Sequence, residues 1–449
     1  MTGSQYKTDG IPLSSATAIV IASMIGTGVF TSLGFQLVDI RDPFAILMLW
    51  IVGALVALCG ALVYGELGAS MPRSGGEYHY LSVIYHPVVG FLSGWVSIAI
   101  GFAAPAALAS TAFGTYLNRV FPAVPPLAMA AGILLLVTAV HGFGFHLGIR
   151  FQDVTTLMKI ALITGFIVCG FVLTRDRIAL SFLPIESSWG TVFSPAFAVS
   201  LVYVSYSYSG WNTAAYVAGD MKSPQTKLPL SLALGTVLVG ILYVALHVVF
   251  LVTAPVDSMK GKLDVAFVSA SRIFGPAGGN VLAVVIALLL VSFIGSMVFV
   301  GPRITQVMAE DMRFFPLFSK KNRKGVPLHA VLFQGSVSLL LLLTSTFEQV
   351  LTYLGFTLNL FTLLAVLGVF IHRRRFPHTV RPYRTWGYPW VPLVFIAFMG
   401  WCEIYLLLLR PAQALAGLAT VLIGLPVYAI APAWNRKHAR TAGGAGTKK

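Results

Sequence analysis

Two short stretches carry the residue types from which this chain could build a ligand site, and both lie inside long apolar runs. The first is Ser23-Met24-Ile25-Gly26-Thr27-Gly28, where two glycines flank a hydroxyl residue; the second is Tyr206-Ser207-Tyr208-Ser209-Gly210-Trp211-Asn212. Within a bilayer every backbone polar group must be satisfied internally, so a helix is interrupted only where the break is buried in protein or lines a cavity. Unwinding exposes N–H groups at the start of one half-helix and C=O groups at the end of the other. The half-helix dipoles favour an anion at the first and a cation at the second. The amides of Gly26, Thr27 and Gly28 would then take a carboxylate, and the carbonyls of Met24, Tyr206 and Ser209 an ammonium. Such a site recognises a zwitterion without a charged side chain, and an α-amino acid is the simplest ligand that matches. Ile25 and Gly210 complete the two breaks; Tyr208 and Trp211 would gate or line the cavity, with ordinary packing as the competing role.

Few ionisable residues lie in the apolar runs. Lys159 is too deep in the fifth run to reach water easily at the nearer end, and an intramembrane charge is by default a functional hypothesis. Its ammonium would dock on carbonyls at the first break, in place of a bound cation; the alternative is a lysine that reaches water through a cavity. Glu66 is expected to pair with a nearby basic group such as Arg73, whereas Glu403 and His247 read as packing or interface residues.

The elements that position these groups follow from composition. The 449 residues are 57% hydrophobic and 10% charged, against roughly 25% charged in a soluble domain, and a spanning helix needs roughly 20 mostly apolar residues. Twelve spans are predicted, at 13–37, 44–70, 88–117, 127–146, 150–174, 194–218, 229–253, 278–308, 328–346, 349–371, 390–410 and 412–434. The fold class is thus an all-α polytopic membrane protein. The breaks fall in the first and sixth spans, which is the pattern of two inverted five-helix repeats that each begin with a discontinuous helix. Residues 13–174 and 194–371 would be the repeats, 390–434 an accessory pair, 1–12 an N-terminal segment and 435–449 a basic tail. The competing explanation is that glycine is simply common in membrane helices, where it permits close packing.

The net charge of +15 orients the protein rather than recruiting nucleic acid. With twelve spans both termini share one side, and that side holds most of the Lys and Arg, including Lys320, Lys321, Arg323, Lys324, Arg373, Arg374 and Arg375. The positive-inside rule makes it cytoplasmic. The first apolar run is too long for a cleaved leader. Cys59, Cys169 and Cys402 lie in apolar spans, so no disulfide, metal site or cofactor is expected. A membrane enzyme would need a nucleophile-base pair, a channel a repeated filter or charged ring, and an ATP-driven pump a phosphate-binding loop; none is evident.

In order along the chain, Ile25-Gly26-Thr27-Gly28-Val29-Phe30, Tyr64-Gly65-Glu66-Leu67-Gly68, Pro72-Arg73-Ser74-Gly75-Gly76-Glu77-Tyr78, Tyr208-Ser209-Gly210-Trp211-Asn212, Gly219-Asp220-Met221-Lys222-Ser223-Pro224, Gly325-Val326-Pro327 and Arg381-Pro382-Tyr383-Arg384 resemble the amino acid-polyamine-organocation (APC) superfamily of permeases, nearest its bacterial amino acid permeases and L-type branch. The resemblance implies a LeuT-type fold working by alternating access. It also implies an α-carboxylate on amides of the helix 1 break and an α-amino group on carbonyls of helices 1 and 6, hence Met24, Gly26, Thr27, Gly28, Tyr206 and Ser209. Lys159 matches a helix 5 lysine that stands where sodium-coupled relatives bind a cation, which implies a sodium-independent symporter or exchanger. Gly101-Phe102-Ala103-Ala104-Pro105 is small and apolar where some relatives place polar readers, and Ser209 stands where some carry a larger or acidic residue. Both departures favour a small or medium neutral amino acid over a cationic one or a polyamine. Expected partners are therefore the amino acid, protons and the lipid bilayer, with no protein partner.

Overall fold

A computed structural model describes residues 11–143, 149–174, 177–312 and 316–442. Residues 1–10 and 443–449 of the two terminal segments, and His146, lie outside the described residues. Apart from one bridge between Ile11 and Met221, regular structure among the described residues is helical. The first apolar run forms two helices, α1 (Leu13–Met24) and α2 (Gly28–Asp39). Asp42 accepts the Phe44 amide and Pro43 opens α3 (Pro43–Ser70), as expected where a first-turn proline needs no N–H. The short α4 (Gly76–Ile84) precedes α5 (Pro87–Val96), a π-helical turn at Ser97–Gly101, and α6 (Ala103–Asn118). Pro105 has no N–H to return to the Gly101 carbonyl four residues earlier, which explains why the helix widens there.

The chain continues through α7 (Pro126–Gly142) and α8 (Val154–Leu173) to α9 (Pro195–Tyr208). The second break comes next, with a single turn, α10 (Thr213–Tyr216), beyond it. It leads to α11 (Pro224–Thr253) and α12 (Val265–Glu310), which bends at Gly275 (φ 76°). The last four are α13 (Leu328–Thr344), α14 (Phe347–Arg375), α15 (Trp390–Leu409) and α16 (Pro411–Ile430).

Among the described residues nine helical runs are long and apolar enough to cross a membrane, the first being α1 and α2 taken together. Three of the twelve expected spans fall short of that length: α7 and α13 are shorter apolar helices, and the sixth is cut by its break. The eighth expected span, 278–308, matches the part of this run that follows Gly275, where non-helical φ 76° and ψ 176° separate it from a helix that begins at Val265. Large apolar side chains such as Leu136, Leu157, Val172, Leu288 and Leu340 stand exposed on the outer surface. A soluble protein does not carry such a belt; in this multi-pass membrane protein lipid covers it.

The helices pack in two groups. α1, α2, α3, α9 and α11 pack on one another, while α6, α7, α12 and α13 form a second set, and α14, α15 and α16 line the flank. Both broken helices belong to the first group and face the second across a cavity.

Candidate substrate site

Each break is held open by contacts to the other. At the first, Ile25 leaves helical geometry (ψ 84°) and the Gly26 amide turns back onto the Met24 carbonyl at 2.8 Å. At the second, the Ser209 amide bonds to the Tyr206 carbonyl at 2.9 Å, and Gly210 takes φ 101°, a conformation that disfavours any side chain. The halves then cross. A β-carbon on Gly28 would lie 2.7 Å from Cα of Ser207, and one on Gly210 would lie 2.7 Å from the Ser23 carbonyl carbon. The Thr27 and Tyr206 hydroxyls pair at 2.9 Å, and those of Ser32 and Ser207 at 3.0 Å.

Between them lies a cavity of about 1200 Å³, lined by Met24, Gly26, Thr27, Gly28, Tyr206, Tyr208, Ser209, Gly210 and Trp211. Nine of the residues expected at the site therefore share one cavity. Ile25 is buried at 1% exposure and does not line it. The cavity continues to Ile11, Ser15, Val217 and Asp220 at one end of the molecule, more room than a single amino acid fills.

The backbone groups are more unequal than the sequence suggested. Among the described residues the Thr27 and Gly28 amides have no acceptor and the Ser209 carbonyl no donor. The Gly26 amide is spent on Met24, and the Met24 carbonyl also accepts the Tyr243 hydroxyl at 2.7 Å. The Tyr206 carbonyl is taken by Ser209. Tyr208 is 1% exposed, donates to the Trp50 carbonyl at 3.0 Å and packs on Tyr243, while Trp211 stands edge-on to Tyr64. Both aromatics are thus wall and packing at once.

Lys159 is 3% exposed and is not part of the wall. Its ammonium stands 5.5 Å from the centroid of the Phe293 ring, and that ring abuts Gly26. Lys159 therefore meets the first break through an aromatic face, a favourable seat for a cation, rather than through carbonyls.

Glu66 does not pair with Arg73. Both its oxygens are held by Arg373 at 2.8 and 2.7 Å, and one also by the Thr385 amide and hydroxyl at 2.7 Å. The reason is geometric: α14 brings its last turn against the end of α3, a proximity invisible in the sequence.

Wall residues beyond the two stretches include Phe102, Ser205, Phe293, Asn359 and Glu77. Glu77 accepts from Tyr64 at 2.6 Å, Asn212 at 3.1 Å and Thr362 at 3.2 Å, and so ties α3, the second break and α14 to α4. Burial pushes its carboxyl above the ordinary value, against those donors, which pull it down. Its place behind Gly75-Gly76 was a usable signal; Tyr243 and Asn359 had none.

The amino acid permease family profile matches residues 11–430. The chain belongs to the amino acid permease family. The permease is 26% identical over 437 residues to the large neutral amino acids transporter small subunit 2 of Mus musculus, covering 95% of this chain and 82% of that one. It is 27% identical over 425 residues to the serine/threonine exchanger SteT of Bacillus subtilis, covering 93% and 95%. It is also 24% identical over 405 residues to the b(0,+)-type amino acid transporter 1 of Homo sapiens, covering 88% and 81%. The permease is thus a transport protein, not an enzyme, and its substrate is an amino acid.

Proposed function

We propose that the permease is a secondary active transporter that carries a small or medium neutral amino acid across the plasma membrane by alternating access. It works without sodium, as a proton-coupled carrier or an exchanger, and without a protein partner. The observation that carries this reading is the pairing of free backbone groups in one cavity: the Thr27 and Gly28 amides for the carboxylate, the Ser209 carbonyl for the ammonium. Oriented dipoles do here what bare side-chain charges would do at far greater cost in a membrane.

A neutral side chain is favoured because neither carboxylate on the cavity wall is left to meet a cationic side chain at the breaks. Glu77 is engaged by its donors and Asp220 lies at the far end. We read the helices as twelve spans in two inverted repeats, 13–174 and 194–371, with the accessory pair 390–434 and both termini cytoplasmic. On that reading the cavity, which reaches Ile11 and Asp220, faces inward, and the Thr27–Tyr206 and Ser32–Ser207 pairs close the outer side. Lys159, behind the first break across the Phe293 ring, sets a positive charge there that disfavours a sodium ion.

The test is uptake by the purified chain alone in proteoliposomes. Saturable uptake of radiolabelled L-serine, L-threonine or L-leucine without sodium, driven by a pH gradient or by preloaded amino acid, is expected. Movement of none of them under either condition would refute the reading, and uptake that requires sodium would remove its account of Lys159.

A further inference from the structure

A buried carboxyl stands on α15, behind the cavity wall. Glu403 is 7% exposed, and among the described residues neither of its oxygens receives a hydrogen bond. α14 packs against α15 and sets the Asn359 amide, whose Nδ2 is likewise unpartnered, beside it. Asn359 lines the cavity and accepts the Ser205 hydroxyl on Oδ1 at 3.0 Å. Ser205 lies on α9, one turn before the second break, and lines the cavity too. Glu403, Asn359 and Ser205 thus form a polar line from three helices, running from the flank of the bundle to the site.

The other titratable and charged groups on the helices packed against α15 are engaged elsewhere or stand at helix ends. On α3, Glu66 is held by Arg373 and Tyr64 by Glu77, and Cys59 is half-buried. On α9, Tyr203 donates to Glu348, Tyr206 pairs with Thr27, and Tyr208 donates to Trp50. On α14, Glu348 is bridged by Arg410 and Tyr353 pairs with Thr420, while His372, Arg373, Arg374 and Arg375 occupy the last turn. Tyr428 of α16 packs on Phe91, and on α15 itself Tyr405 packs on Trp401. Cys402, adjacent to Glu403 in the chain, is fully buried.

We propose that Glu403 is a proton-binding site coupled to the amino acid cavity through Asn359, which deepens and rests on the transport function above. A carboxyl has two forms, and the amide can match either by rotating half a turn. A carboxylate only accepts, so Asn359 turns Nδ2 towards it and keeps Oδ1 on the Ser205 hydroxyl, whose hydrogen is then directed away from the ligand. A carboxylic acid donates its O–H to Oδ1; Nδ2 then faces the Ser205 oxygen and the hydroxyl hydrogen is free for the cavity. Binding one proton from water, with no bond other than O–H made or broken, thus inverts the polarity that Ser205 presents beside the break. Glu77 has no such freedom, because its donors already satisfy it.

The test uses the full chain in proteoliposomes, with initial uptake of radiolabelled L-serine, L-threonine and L-leucine measured from pH 5.5 to 8. Wild type is expected to change rate at least fivefold across this range. Glu403→Gln, which keeps the shape and cannot titrate, is expected to stay flat within twofold while still exchanging preloaded amino acid. Asn359→Ala is expected to flatten the profile too, and carries the test if the glutamine variant does not fold. Glu77→Gln is expected to keep the wild-type pH dependence, whatever its rate. A flat wild type, a wild-type profile in Glu403→Gln or in Asn359→Ala, or a profile lost only in Glu77→Gln overturns the proposal and leaves amino acid transport standing. Absence of uptake by wild type at every pH refutes transport itself, and the proposal with it.

Discussion

The two breaks face each other across one cavity and are built differently. The first is a narrow gap, three residues between α1 and α2, with a full helix on either side. The second opens wider: four residues separate α9 from α10, and only one helical turn and a 3-10 turn lie between that gap and Lys222, which bonds back to Ile11. The first supplies the free amides and is buttressed from outside by Tyr243 and by the Lys159–Phe293 contact. The second supplies the free carbonyl and is held by Glu77 through Asn212. The two breaks divide the labour. A helix N-terminus of full length sustains the dipole that a carboxylate needs, whereas the shorter, irregular half is the easier one to move.

Substitutions placed on each break in turn test this. Gly210→Ala carries the largest expected effect. The new β-carbon meets backbone of Ser23 at 2.7 Å and also forces an unfavourable φ, which costs on the order of 1–2 kcal/mol before any clash. Loss of uptake beyond tenfold, with a lower melting temperature, is expected. Gly28→Ala meets Ser207 equally closely at ordinary φ, so it should abolish uptake comparably with a smaller loss of thermal stability. Equal stability losses in the two variants would erase the proposed contrast.

Lys159→Ala comes next. Uptake should fall about tenfold, roughly 1.4 kcal/mol, with expression retained, because the ammonium bears on the first break alone. Wild-type uptake would reduce the lysine to a packing role. Tyr243→Phe has the smallest effect. It removes the hydroxyl bonded to the Met24 carbonyl, a net loss of about 1 kcal/mol and roughly fivefold in affinity. It should act on ligand affinity measured by thermal shift more than on maximal rate, since the carbonyl keeps the Gly26 amide.

Much of this was legible in the residue string. The polar, glycine-containing stretches inside apolar runs located both breaks, because backbone chemistry in lipid leaves few alternatives. The same reasoning overstated the groups on offer: it counted every amide and carbonyl at a break as free, and local turns consumed those of Gly26 and Tyr206. The reading that failed involves a distant partner: Glu66 went to Arg373, 307 positions away, rather than to Arg73.

The sequence alone therefore determined the helical membrane class, the location of the breaks and the family, since all three are written in local composition, spacing and motif order. Tertiary structure decided which break groups stay free, which way Lys159 turns and which carboxyls lack donors. Those outcomes depend on what each helix meets across the bundle, and hydrogen bonds over hundreds of residues leave no trace in periodicity.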